Sequence, residues 1–168
     1  DMAWEKGESV AFTCAYVGNL RNIAKTLRQL EEISGSSKIE IAHEMEDLLA
    51  GSVELYEDAA RKQALLAGYA KKCEHNISGD TIVVRLDQLA ANLEGKADWM
   101  MKNIRANEWV KDGEDGWFNG YYDNHGRKVE GVMDESVRMM LTGQVFAIMS
   151  GTATEDQVES ICRSADKY

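Results

Sequence analysis

Four carboxylates and five aromatic rings crowd one short stretch of this chain. Asp112, Glu114, Asp115 and Asp123 stand among Trp109, Trp117, Phe118, Tyr121 and Tyr122. Glycoside chemistry uses these residue types: a protonated carboxyl assists the leaving oxygen, and aromatic faces stack on sugar rings. The same composition also fits an ordinary acidic turn whose aromatics plug the end of a helix bundle.

Other chemistries find little support. His43, His75 and His125 are scattered, and His43-Glu44 lacks the second histidine that an HExxH zinc helix needs; no metal site is expected. There is no GxSxG elbow, no GxxxxGK[ST] phosphate loop and no GxGxxG fingerprint. Met139, Met140 and Met149 read as core filling rather than as a binding surface.

The charge narrows the partners. With 29 acidic against 19 basic residues the net charge is −10, and no Lys/Arg stripe offers a face to phosphate backbones or to an anionic lipid surface. Neither nucleic acid nor membrane is expected as a partner. The longest apolar run, Val10 to Val17, is broken by Thr13 and is too short to span a bilayer. Cys14, Cys73 and Cys162 are odd in number and form no CxxC pair, so they read as buried reduced thiols in a cytoplasmic protein.

The elements that must position these residues read as almost wholly helical. The chain lacks proline. Apolar residues at 16, 20, 23, 27, 30 and 33 predict a helix from Glu8 to Ile33, stopped by Gly35. Ser37 with Glu40 predicts a capping box for a second helix carrying Ile41, Met45, Leu48 and Leu49, with a weak break at Gly51-Ser52. A third helical stretch holds Leu55, Ala59, Leu66, Tyr69 and Cys73 and ends near Asn76–Gly79. A fourth follows Leu86, Leu89, Leu93, Ala97, Met100 and Ile104. Its start is open: Ile82-Val83-Val84 suits a short strand, with Asp87 then the N-cap. From Asn107 to Met133 the helical period disappears, and Asp123-Asn124-His125-Gly126 is a turn signal inside a hairpin-like excursion. Helix is expected again at Val137, Met140, Leu141, Val145, Ile148 and Met149, stopped by Gly151. Thr154 with Gln157 then caps a last helix. The expected class is all-α, built of antiparallel helical hairpins with one aromatic hairpin-like loop.

Residue 1 is Asp, and the chain stops at Tyr168 inside a run of helical spacing (Val158, Ile161, Cys162, Ala165). Both ends read as cuts in a longer protein.

Three segments together resemble glycoside hydrolase family 94, the cellobiose, chitobiose and related β-glucan phosphorylases. Lys6-Gly-Glu-Ser-Val10 is similar to the family's K-G-E-S-V-W. The stretch Asp115-Gly-Trp-Phe-Asn-Gly-Tyr-Tyr-Asp-Asn-His-Gly-Arg127 resembles its W-D-G-x-W-Y-x-R-A-Y-x-D-D-G loop. Leu141-Thr-Gly-Gln144-Val-Phe-Ala-Ile-Met-Ser-Gly151 resembles its Q-S-W-A-V-I-S-G helix. Order and rough spacing match from residue 6 to 151. The W-D-G and Y-x-R-A elements are replaced, and Val145-Phe146 stands where the family has Ser-Trp. The variant is most similar to the 1,2-β-oligoglucan phosphorylase branch.

The resemblance implies an (α/α)6 barrel, of which residues 1–168 would be a single segment making up about half. It implies inverting phosphorolysis of β-glucosides, here β-1,2-oligoglucans, to α-glucose 1-phosphate, with inorganic phosphate as co-substrate and no cofactor. Phosphate arrives already anionic and needs no base, so one general-acid Asp suffices. The family carries that Asp in a D-W-N-D motif just before K-G-E-S-V. Asp1-Met-Ala-Trp does not match the motif, and the phosphate-binding His falls beyond Tyr168. No catalytic residue is therefore expected in this chain, which would depend on the rest of its own polypeptide and be inactive alone. The expected substrate contacts are Trp117 and Tyr121 as stacking faces and Asn119 and Asp123 as hydrogen-bonding groups. Gln144 and Arg138 join them on the neighbouring helix. A non-catalytic helical carbohydrate-binding module and a helical interaction scaffold remain as alternatives; oligomeric state and linkage stay open.

Overall fold

The computed structural model describes residues 7–49, 53–133 and 136–168. Its elements are α1 (Val10–Ser34), β1 (Lys38–Ala42), α2 (Glu46–Leu49), α3 (Val53–Glu57), α4 (Ala59–Lys72) and β2 (Thr81–Arg85). Then come α5 (Leu86–Asn107), β3 (Trp109–Asp112), β4 (Asp115–Phe118), β5 (Gly131–Met133), β6 (Ser136–Arg138), α6 (Leu141–Met149) and α7 (Glu155–Lys167). About 60% of the chain is helical, but among the described residues three two-stranded antiparallel sheets accompany the helices. The class is mixed α/β and helix-rich. This corrects the all-α expectation and, with it, the half (α/α)6 barrel.

Two compact units divide the chain, one of Arg21–Trp99 and the other of Asp1–Leu20 with Met100–Tyr168. In the first, β1 pairs with β2 from Lys38↔Arg85 to Ala42↔Thr81. The expected helix at Ser37 is therefore a strand. Ile39 and Ile41 alternate with Lys38 and Glu40, and they meet Val84 and Ile82 across the ladder, where β-branched side chains pack well. Helix resumes only after Ala42. Ala24 and Leu27 of α1 and Leu86 and Ala90 of α5 form the unit's buried cluster, with Ile39, Leu89 and Leu93 against it. Arg28 grips Glu94 through two bonds of 3.1 and 2.5 Å. Lys96 Nζ bonds the Leu48 carbonyl, and Asn92 donates to that of Leu49 at 2.8 Å. Both bonds go to carbonyls of the last turn of α2, where helices offer such acceptors. Asp58 caps α4 by accepting the Arg61 N–H, which breaks the third helical stretch in two. That stretch ends at Cys73 rather than at Asn76–Gly79. The expected break at Gly51-Ser52 lies outside the described residues.

In the second unit Val10, Ala11, Cys14 and Val17 of α1, Met101 and Ile104 of α5, Trp117 and Phe118 of β4, Ala147 of α6 and Ile161 of α7 are all buried. β3 and β4 form a hairpin paired from Trp109↔Phe118 to Asp112↔Asp115. Gly116 allows the closest approach there. A Cβ at this position would lie 2.7 Å from the Val110 carbonyl and 2.6 Å from the Trp109 ring. Ser160 and Ser164 of α7 donate to the Gly116 carbonyl at 3.4 and 3.2 Å. Thr154 and Gln157 make the expected capping box. Val137 lies in β6, where it faces Val132 across β5, so the helix begins four residues later than its spacing suggested.

The three cysteines are free. Only Cys14 is buried, and burial pushes its thiol up to about 11; Cys73 is half-buried and Cys162 exposed, which corrects the expectation for those two. Among the described residues no helix is long and apolar enough to cross a membrane.

Candidate functional site

The site is built around the backbone of Phe118, Asn119 and Gly120, which leaves β4 fully buried. Three segments converge on it. From the first, the Ala11 N–H donates to the Gly120 carbonyl at 3.1 Å, Ser9 bridges Tyr121, and the Tyr122 N–H donates to the Glu8 carbonyl at 2.9 Å. Ser9 also caps α1, its Oγ accepting the Phe12 N–H at 3.2 Å. From the second, Gln144 of α6 accepts the Phe118 N–H at 2.8 Å and donates to the Phe118 carbonyl at 2.7 Å. The third is the returning chain: Val129 donates to the Tyr121 carbonyl at 3.1 Å, and Tyr122 bridges Lys128. The turn expected at Asp123–Gly126 is present, closed by the Gly126 N–H to the Asp123 carbonyl at 3.0 Å with Gly126 at φ 71°.

A cleft of about 760 Å³ opens beside this junction, with Glu8, Ser9, Phe12, Tyr121, Asp123 and Arg127 among the residues lining it. Tyr121 supplies a half-buried ring and Phe12 an exposed one. Asp123 is the acceptor pole. Its Oδ1 takes the N–H groups of Arg127 at 2.9 Å and His125 at 2.8 Å, and its Oδ2 takes the Arg127 side chain at 2.9 Å. Above all the Arg127 backbone N–H, then that of His125 and the guanidinium, hold its carboxyl down at about 2. A carboxyl so fixed as an anion accepts hydrogen bonds but does not deliver a proton near neutral pH. The cleft thus sets aromatic faces beside a fixed anion, and Asp123 does not serve it as a general acid.

Of the expected substrate contacts, Tyr121 and Asp123 face this cleft. The others lie elsewhere. Trp117 is fully enclosed, its ring edge-on to Tyr168 at 5.7 Å, and its indole N–H has no partner among the described residues. It has no free face for a sugar. Asn119 is also fully buried: its amide donates to Glu108 at 3.1 Å, and its Oδ1 accepts the Glu130 N–H at 3.4 Å. Gln144 spends its carboxamide on Phe118. Arg138 sits on β6 rather than on the helix, exposed and away from the cleft lining.

Several residues of the junction carried no sequence signal. Glu108 accepts the Tyr122 hydroxyl through both carboxylate oxygens at 2.9 Å, and Lys128 stands 3.7 Å from it. Burial first, and then this carboxylate, push the Tyr122 phenol up to about 12. Glu130 is buried with both oxygens on backbone N–H groups. Glu8 and Ser9 lie inside the Lys6–Val10 segment, where the sequence assigns their side chains no role. No group of three His, Cys, Asp or Glu among the described residues is placed to hold a metal ion. No family model matches the chain, and no curated protein matches it.

Proposed function

We propose that this chain is part of a glycoside phosphorylase of the β-glucan type, and that its cleft binds glucose units of a β-1,2-linked oligosaccharide. One observation carries the reading. The three segments that resemble the phosphorylase motifs, far apart in sequence, meet at one backbone junction through Glu8–Tyr122, Ser9–Tyr121 and Gln144–Phe118. The cleft at that junction offers an aromatic face beside fixed polar groups, the composition that sugars select. The general acid and the phosphate-holding cations come from elsewhere in the polypeptide: Asp123 is committed as an anion, and Arg127 is paired with it. In the reaction an acid outside this segment protonates the glycosidic oxygen. Phosphate attacks the anomeric carbon from the opposite face, and glucose leaves as α-glucose 1-phosphate. This is chemistry of the cytoplasm, where phosphate is plentiful and thiols stay reduced.

The test is phosphate-dependent release of glucose 1-phosphate by the full-length parent, compared across β-1,2, β-1,3 and β-1,4 glucose oligomers. Release from the β-1,2 oligomer above the others is expected; no release from any of the three refutes the reading. The saturation of Asp123 favours a second reading, a carbohydrate-binding module without chemistry. In that case the oligomers bind with or without phosphate, and the parent releases no sugar phosphate.

A further inference from the structure

We propose that Glu130 is the positioning residue of the cleft, its two carboxylate oxygens clamping the backbone N–H of Gly120 to that of Met140 and so fixing the segment that carries Tyr121 and Asp123. Glu130 is 2% exposed. Its Oε1 accepts from Gly120 at 2.7 Å and its Oε2 from Met140 at 2.8 Å, one residue before α6 begins. The close approach depends on glycine: a Cβ on residue 120 would fall 2.7 Å from Oε1 and 3.4 Å from the Gly143 Cα. The cleft wall starts at the next residue, Tyr121. Among the described residues no cation is bonded to this carboxylate. Glu108 lies beyond Asn119, with Tyr122 and Lys128 beside it, and Arg138, opposite Gly131 in the β5–β6 pair, is exposed. Burial therefore outweighs the two N–H bonds and raises the carboxyl above its ordinary value.

A raised carboxyl means that the ionised form costs the fold stability rather than adding to it. The group's contribution is to hold two strands of chain in register, a use that buried polar groups can serve without stabilising. Protonation, which comes at a higher pH than an ordinary glutamate needs, places a hydrogen opposite one of the two N–H donors and opens the clamp on that side. The link from clamp to glucan rests on the carbohydrate reading above; the clamp itself does not.

The experiment compares the 168-residue chain with its Glu130→Gln variant by amide hydrogen exchange, thermal melting and titration with a β-1,2-linked glucose trimer, each as a function of pH. The carboxamide introduced in the variant accepts from one amide and turns its own NH2 toward the other. Exchange at Gly120 or Met140 is expected to quicken about tenfold, with the other core amides and the melting temperature little changed. Trimer affinity is expected to fall about tenfold as well. Acidification should lower the protection of the same amide, taken relative to its intrinsic exchange rate at each pH, and the trimer affinity in the parent chain, and leave both unchanged in the variant. Unchanged exchange at both amides overturns the clamp, as does a general loss of protection with a large fall in melting temperature, the mark of a merely structural residue. Altered exchange with unaltered trimer affinity overturns its positioning role. If neither chain binds the trimer, the carbohydrate reading falls, and the exchange and its pH profile decide the clamp alone.

Discussion

Gln144 bonds Phe118 as a neighbouring strand would. Its carboxamide accepts the Phe118 N–H at 2.8 Å and donates to the Phe118 carbonyl at 2.7 Å, with both residues buried. Leaving both backbone groups unpaired in the interior should cost about 2–4 kcal/mol in Gln144→Ala. Gln144→Glu is more informative. A carboxylate there can still accept the N–H but faces the Phe118 carbonyl with no donor. Burial raises its pKa, so the penalty is present above that value and relieved below it, where the neutral acid donates again. Urea midpoints measured from neutral to acid pH should show the variant recovering toward the parent as pH falls; a gap that widens on acidification would contradict the assignment.

Gly116 is the second point at which backbone approach sets the hairpin. Its neighbours are the Val110 carbonyl and the Trp109 ring, and α7 adds two hydroxyls to its own carbonyl. Backbone cannot swing aside as a flexible side chain can. Gly116→Ala should therefore destabilise the chain by about 1–3 kcal/mol, as overpacking does. Gly68→Ala is the control, because a Cβ there meets none of the described residues within 4 Å and a helix interior gains from alanine. Equal melting temperatures for the two variants would refute the close-packing argument.

Tyr121 and Trp117 should separate binding from folding. Tyr121 lines the cleft and is half-buried, so Tyr121→Ala should weaken a β-1,2-linked glucose trimer about tenfold while the fold persists. Trp117 is enclosed, and Trp117→Ala should cost about 3–5 kcal/mol through the cavity it leaves. Calorimetric titration and denaturant unfolding on both variants test the pair of outcomes. A stable Trp117→Ala chain with lost affinity would return that ring to the sugar site.

What could be read from residue order was whatever local chemistry determines. The period of α1 with Gly35 behind it, the Thr154–Gln157 box and the Asp123–Gly126 turn each depend on side chains within a few positions. The segment Lys38–Ala42 depends instead on Thr81–Arg85, about forty residues away. Ser37 and Glu40 carry a helix-start signal that the ladder overrides. Val137 went astray in the same way, its partner Val132 lying across a strand pair. In the candidate site the aromatic and acidic types mark the loop that supplies Tyr121 and Asp123 to the cleft wall, but not which of them face outward. Trp117 lies in β4, with the α7 hydroxyls bonded to the carbonyl of the residue before it, whereas Tyr121 lies after the strand has ended. Glu130 left no trace because its partners are backbone N–H groups, and any residue but proline presents one.

Asp123 gives the cleft its own acid limit. Backbone N–H groups of Arg127 and His125 and the Arg127 guanidinium favour its ionised form and hold it at about 2, below the ordinary aspartate value of about 3.9. A carboxyl depressed by folding stabilises the folded state fully above its unfolded pKa, and that contribution fades as pH falls through the folded one. Asparagine at 123 keeps an oxygen for the turn but has no charge to lose. The difference in melting temperature between the parent chain and Asp123→Asn should thus be constant above about pH 5 and shrink between about pH 4 and 2. A difference that holds steady across that window would mean that the Arg127 and His125 contacts do not favour the carboxylate. The contacts would then no longer be a ground for excluding Asp123 as the acid of the cleft.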